Sequence, residues 1–150
     1  MNLTSFTDYS LRVLIYLAVD PLRRRTIAEV ATAFAISESH LTKVVHFLGK
    51  QGLLANVRGK GGGMQLAVPA SDIVVGQVVR ATEGSAMPAE CFGEDPACCP
   101  IAPACRLRGV LGDAVDAFYA VLDRYTLDDL VRNRAALARV LQFEPRARHG

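Results

Sequence analysis

Apolar residues recur at helical spacing from the start of the chain. Over Thr7–Val19 the residues Leu11, Leu14, Ile15 and Ala18 fall on one face, which predicts an amphipathic helix closed by Pro21. Arg23-Arg24-Arg25 reads as a loop, and Thr26-Ile27-Ala28-Glu29 carries the capping-box pattern that opens a short second helix to about Phe34. Ala35-Ile36 is the turn, and Ser37 is a good N-cap for a third helix running to about Gln51, where Gly52 supplies the stop. In that helix Leu41, Val44, Val45 and Leu48 repeat at i, i+3, i+4 and i+7, while Ser39, His40, Lys43, His46 and Lys50 line the other face. Two short strands follow, 53–58 and 64–68, separated by Gly59-Lys60-Gly61-Gly62-Gly63. Pro69-Ala70-Ser71-Asp72 is expected to cap a fourth helix to about Ala81. Pro88, Pro96, Pro100 and Pro103 then hold 84–104 open as a loop. From about Ala104 to Tyr125 the helical stripe returns as Leu107, Val110, Leu111, Ala114, Phe118, Val121, Leu122 and Tyr125, a helix of about 30 Å. A further helix or two is expected over 126–141, and 144–150 reads as a frayed tail.

Two short helices joined by a tight turn, the second polar and basic on its outer face, predict a helix-turn-helix; an ordinary helical hairpin is the alternative for that segment alone. The hairpin with a basic, glycine-rich tip directly after it is the wing of a winged helix. The expected fold is therefore mainly α with a small β-wing. A winged helix-turn-helix DNA-binding domain spans 1–82, a cysteine-rich loop 83–105, and a long dimerisation helix with a C-terminal helical segment 104–143, before the tail. Base reading is expected from Ser39, His40 and Lys43. Arg58 and Lys60 on the wing are expected to enter the minor groove or contact phosphate, where glycines let the backbone come close. So long an apolar stripe in a small protein needs a partner surface. A homodimer reading a palindromic operator in double-stranded DNA supplies one; packing of the stripe entirely on its own wing domain is the alternative. A nucleotide-binding P-loop is a poor rival, because no Ser or Thr follows Lys60 and no helix starts there.

Composition adds little to this picture, but charge and cysteine placement change it. The chain has 150 residues, 51% of them hydrophobic and 21% charged, as expected of a soluble globular protein. It has no apolar run near the roughly 18–20 residues that span a bilayer, and Met1-Asn2-Leu3-Thr4 lacks a basic leader region. A cytoplasmic protein without membrane contact is expected, a setting in which structural disulfides are rare. The net charge of +2 hides an asymmetry. Residues 1–70 carry eight Lys/Arg against four Asp/Glu, a local +4, and residues 71–105 carry one against five, a local −4. The positive field thus lies with the expected reading head, which suits nucleic acid. An enzyme is not expected: there is no nucleophile–base pair at useful spacing, no H-E-x-x-H and no cofactor fingerprint.

All four cysteines, Cys91, Cys98, Cys99 and Cys105, fall within the acidic stretch. Thiolates this close in sequence ligate soft metals with little loop-closure entropy. Adjacent Cys98 and Cys99 point in different directions, so a site would use Cys91, one of that pair, and Cys105, with one position left for another ligand. Three chemistries compete. An iron–sulfur cluster suits thiolates on a proline-rich loop, and Cys99-Pro100 echoes ferredoxin runs. A thiol–disulfide switch needs two reactive cysteines, and Arg106 and Arg108 flank Cys105 closely. Structural zinc is disfavoured by the lack of a C-x₂-C pair.

A resemblance narrows these. The opening Leu3-Thr4-Ser5-Phe6-Thr7-Asp8-Tyr9-Ser10-Leu11-Arg12 resembles the start of the winged-helix iron–sulfur transcriptional repressors. So do the wing Arg58-Gly59-Lys60-Gly61-Gly62-Gly63 and the block Cys99-Pro100-Ile101-Ala102-Pro103-Ala104-Cys105-Arg106-Leu107. The likeness spans essentially the whole chain. Within the family, three cysteines followed by Arg-Leu mark the nitric-oxide-sensing branch. The cluster-assembly branch places a histidine ligand three positions after the last cysteine, where this chain has Arg108. The resemblance implies a homodimeric repressor with a 4Fe–4S cluster, a 2Fe–2S form being the alternative. Its ligands would be Cys91, Cys99, Cys105 and the carboxylate of Asp8, from the same or the other subunit. Cys98 is the substitute for Cys99, because the spacing from Cys91 to Cys99 exceeds the usual family spacing. The effector implied is nitric oxide, with cluster nitrosylation or loss releasing DNA. Regulation by iron or redox state, or a thiol- or zinc-based repressor, is the alternative. On the residues alone, Asp8 reads equally well as an acid stabilising a helix N-terminus.

Overall fold

The computed structural model describes residues 2–84, 88–93, 95 and 99–143. Cys98 and the tail 144–150 lie outside the described residues. Helix α1 (Ser5–Val19) begins earlier than the apolar spacing predicts, because the Thr4 side chain accepts the Thr7 N–H and caps it. Helix α2 (Ile27–Phe34) opens on the expected capping box: the Thr26 hydroxyl accepts the Glu29 N–H while the Glu29 carboxylate accepts the Thr26 N–H at 2.6 Å. Ala35 closes it in a left-handed conformation (φ 53°), donating its N–H to the carbonyls of Ala31 and Thr32. The chain can therefore turn within two residues into α3 (Glu38–Lys50), capped by Ser37. The four α3 residues read as its inner face, Leu41, Val44, Val45 and Leu48, are all buried.

After α3, strands β1 (Leu54–Val57) and β2 (Gly63–Leu66) pair antiparallel with Leu54 opposite Leu66 and Val57 opposite Gly63. A third segment joins them. Arg25 exchanges two backbone hydrogen bonds with Met64, N–H to carbonyl at 3.0 Å and 2.8 Å. The triple-arginine stretch read as a loop is thus half wing. Arg25 is buried, with its guanidinium 3.9 Å from the Phe143 ring centroid and its charge facing Asp20 and Glu29.

The fourth helix departs from expectation. Ala70–Asp72 forms a separate 3-10 turn, Ile73 is extended and buried, and α4 runs Val75–Glu83 with no side-chain cap. Asp72 is therefore not its cap. The reason is tertiary: the Ile73 carbonyl accepts the Leu127 N–H, and the Val75 N–H is taken by the Tyr125 carbonyl, so this stretch pairs with chain arriving from far downstream. Helix α5 (Leu107–Leu122) is also shorter than predicted, 16 residues, because the 3-10 turn Ala102–Ala104 and an extended Cys105 precede it. Helices α6 (Leu127–Leu130) and α7 (Arg134–Val140) then return to α1. Leu127 and Val131 enter the same core as Leu14 and Leu17, and Arg134 donates to the Ala18 carbonyl at 2.7 Å at the end of α1. Helix α1 is consequently buried on more sides than one apolar face predicts, down to Thr7 and Ser10. Among the described residues no helix is long and apolar enough to cross a membrane.

The end of α4 is tied to the start of α1. The Glu83 carboxylate accepts the Thr4 N–H at 2.8 Å and the Thr4 hydroxyl at 3.1 Å, and the Thr7 hydroxyl donates to Thr82 at 2.8 Å. Burial pushes the Glu83 carboxyl up, but the Thr4 amide and hydroxyl that donate to it, with the polar Thr7 hydroxyl beside them, outweigh this and hold the group below the usual carboxylate range. A carboxylate depressed in the folded state contributes stability above the unfolded pKa, and the contribution fades as pH falls through the folded value. Glu83→Gln is therefore expected to lower the unfolding midpoint at neutral pH and to match the parent at acid pH. Denaturant unfolding of both proteins across that range checks it; a pH-independent difference would refute the assignment.

Candidate functional site

Helix α3 buries its apolar stripe and leaves a polar face in solvent. Ser39, His40 and Lys43 are all exposed there, as expected from the spacing. Each is placed differently. Ser37 caps the helix through His40 N–H, and its hydroxyl lies 3.3 Å from that of Ser39. The His40 ring stacks on Tyr9 of α1 at 6.3 Å, which fixes the orientation of the α3 N-terminus against α1. A second ring pair, Phe6 with Phe47 at 5.3 Å, holds the other end of the same contact.

On the wing, Arg58 and Lys60 are exposed. Among the described residues, Lys43, Arg58 and Lys60 take part in no ion pair. Their charge is free for a polyanion. The tip is a tight turn closed by Gly62 N–H to the Gly59 carbonyl at 2.9 Å, with Gly59 and Gly61 at positive φ. Between α3 and the wing lies a groove lined by Thr42, His46, Asn56 and Arg58. The apolar spacing had shown His46 on the outer face; Thr42 and Asn56 carried no such signal, because only the wing's return over α3 brings them together.

The cysteine segment connects α4 to α5. Cys91 sits in a 3-10 turn (Glu90–Phe92), Cys99 opens a turn by accepting the Ala102 N–H at 3.0 Å, and Cys105 lies in extended backbone just before α5. All three thiols are free and partly buried. Phe92 lies under the Arg108 guanidinium at 5.5 Å and within 4.0 Å of where a side chain at Gly112 would stand, so the Cys91 turn rests on the first turns of α5. Asp8, in the first turn of α1, is engaged through both oxygens by Arg12, at 3.0 Å and 2.7 Å, and is roughly half exposed. Among the described residues no three His, Cys, Asp or Glu side chains converge on one point suited to a metal ion. The donor set fits an iron–sulfur cluster in kind: soft, unpaired thiols on a segment of short turns between α4 and α5.

No residue of α5 is fully buried. Leu107 and Val110 are each about 60% exposed and Val121 45%, a stripe at helical spacing that its own chain leaves largely open. At its C-terminal end the helix is anchored by Arg80 of α4, which grips Asp123 through two hydrogen bonds of 2.6 Å and 2.7 Å and lies 4.3 Å over the Tyr119 ring.

Known proteins share this fold. The chain is 46% identical over 145 residues to the HTH-type transcriptional regulator NsrR of Shouchella clausii, covering 96% of this chain and 97% of that protein. Its structure is similar to that of oxidised CymR from Staphylococcus aureus, with a TM-score of 0.70, 29% identity, and coverage of 88% and 97% of the two chains. It is similar also to IscR of T. potens, with a TM-score of 0.69, 25% identity and coverage of 89% and 88%. These neighbours are winged-helix regulators, and the mainly helical fold with its two-stranded wing is theirs. Residues 3–133 match the Rrf2 family, described as an iron-dependent transcriptional regulator, and the chain belongs to that family.

Proposed function

We propose that this protein is a homodimeric repressor that binds duplex DNA through α3 and the wing. It senses nitric oxide at an iron–sulfur cluster, 4Fe–4S in form, held by Cys91, Cys99, Cys105 and Asp8. The observation that carries the reading is the joining of two features by one short segment. A reading surface with free cations ends at α4, and three unpaired thiols lie between α4 and an exposed apolar helix. Likeness to proteins named HTH-type transcriptional regulator NsrR supports the regulator reading, and the nitric oxide input follows from the resemblance of the block Cys99–Leu107 to the nitric-oxide-sensing branch. The α5 stripe supports pairing of two copies, with 1–82 as the DNA-binding unit, 83–105 as the ligand-bearing loop and 104–143 as the dimerisation segment.

When bound, the cluster would supply iron reactive toward small neutral effectors, with Cys91, Cys99 and Cys105 as thiolate ligands and Asp8 as the weaker oxygen ligand. The chain's own residues transmit the change. Asp8 would hold the group through a carboxylate that Arg12 engages at 2.7 Å in this structure, so the same side chain has an ion pair to occupy when it is not a ligand. Tyr9, the next residue, stacks on His40 at the start of α3. A shift in this turn of α1 is therefore felt at the reading helix directly. Glu83, the last residue of α4, holds the α1 N-terminus from the other side. Two reading helices must sit about one DNA turn apart, so a small tilt suffices to release the operator.

The test is anaerobic purification, iron and sulfide assay, and titration with nitric oxide while binding to genomic DNA fragments is followed. A brown protein that bleaches as DNA is released supports the proposal. A colourless protein that answers to peroxide or thiols favours a thiol switch on the same free cysteines. For the DNA face, Lys43→Ala is expected to weaken binding and to flatten the slope of log K against log salt by about 0.9, one phosphate contact. Unchanged affinity and slope would remove Lys43 from the interface.

A further inference from the structure

The α1–α2 loop brings a further cation to the wing. Arg23, Arg24 and Arg25 are consecutive, yet the structure gives them different surroundings. Arg23 and Arg25 face the Glu29 carboxylate at 3.7 Å and 3.6 Å, and Arg25 also faces Asp20. Arg24 makes no ion pair among the described residues; its guanidinium instead donates to the Gly61 carbonyl at the wing tip, 3.4 Å away. This placement follows from the backbone. The paired hydrogen bonds between Arg25 and Met64 lay the loop alongside β2, and Gly63 lacks a side chain where the Arg25 carbonyl comes within 2.9 Å of its Cβ position. Arg24 is thereby set beside the tip that carries Arg58 and Lys60, 37 residues from Gly61 in sequence.

We propose that Arg24 is a DNA-phosphate contact of the wing, contributed by the α1–α2 loop. The inference rests on the reading of this face as a DNA interface and deepens it. The chemistry is that of a backbone clamp. An exposed guanidinium with most of its donors free, in a field shared with two other unpaired cations, matches a phosphate and carries no base information. A contact of this kind strengthens binding to any duplex and adds about 0.9 to the salt slope. The tether to Gly61 keeps the long side chain near its site, which lowers the ordering cost of the contact.

The experiment compares the full-length parent with Arg24→Gln, Arg24→Lys and Lys43→Ala. Each is titrated with a labelled duplex of about 30 base pairs of arbitrary sequence, long enough for two half-sites one turn apart. The same proteins are titrated with a genomic fragment that the parent retains, at salt from about 50 to 200 mM. Arg24→Gln is expected to flatten the slope by about 0.9 on both DNAs, losing about 3-fold less affinity than the parent across that salt range. Arg24→Lys is expected to restore the slope, which a purely structural tether to the wing would not do. Thermal unfolding of the variants should match the parent, since Arg24 is exposed. Slope and affinity unchanged in Arg24→Gln, with Lys43→Ala weakened, overturn this inference and leave the DNA reading intact. A parent that binds neither DNA overturns both.

Discussion

Cys99→Ser is expected to strip the purified protein of most of its iron and sulfide and to reduce operator affinity to that for arbitrary DNA, a loss on the order of 10³-fold or more. Cys98→Ser is expected to leave both intact. Serine keeps the size of cysteine but replaces a soft thiolate with a hard hydroxyl that stays protonated at neutral pH, so it does not ligate iron in a cluster. Cys99 is singled out because its carbonyl anchors the turn that leads through Ala102–Ala104 to Cys105, placing both residues on one short, ordered path into α5. In the proposed mechanism that path would carry a change at the ligands to the exposed helix. Iron and sulfide assays on the two variants, with DNA binding measured beside them, decide the matter. Retention in Cys99→Ser with loss in Cys98→Ser would exchange their roles, and retention in both would remove the thiol ligands from the proposal.

Gly63→Ala should cost about 2–4 kcal/mol of folding stability, the sum of backbone strain and overpacking. Gly63 has φ 140°, and an added Cβ would stand 2.9 Å from the Arg25 carbonyl oxygen and 3.3 Å from its carbon. These are backbone atoms paired with Met64, so they cannot step aside without breaking the bridge between loop and wing. For a chain this long, the thermal midpoint should fall by about 5–15 °C. DNA binding should weaken as well, at a temperature where the variant is folded, because the wing tip loses its support. Gly59→Ala is the control: it also has positive φ, 93°, but a Cβ there meets nothing within 4 Å. It should show strain alone, about 1 kcal/mol. Equal losses in the two variants would mean that the loop does not brace the wing.

The two cases illustrate different kinds of information. Elements whose ends are decided within a few residues were legible in the chain. The Thr26–Glu29 box, the Ser37 cap and the Gly52 stop are local hydrogen-bonding and steric devices, and α2 and α3 begin and end where those residues stand. Leu41, Val44, Val45 and Leu48 are buried because a 3.6-residue period leaves that stripe no other place in a compact fold. The glycine-rich tip between two apolar runs likewise announced the wing.

What depends on distant partners was not legible. Arg25 reads as one of three loop arginines, and only pairing with Met64 and stacking on Phe143 bury it while leaving Arg24 outside beside Gly61. Asp72 has the look of a cap, yet Ile73 and Val75 are claimed by the chain around Tyr125–Leu127, and the helix must start later. Helix α1 shows one apolar face, but α6 and α7 cover a further side of it. By itself, then, the sequence determined the local elements, their caps and the chemical kinds of residue on offer, because short-range sterics and hydrogen bonds act without knowledge of the fold. Which of the three arginines is buried, where α4 begins and which apolar stripe is left uncovered came only with tertiary structure, because those depend on backbone groups and surfaces separated by tens of residues meeting in space.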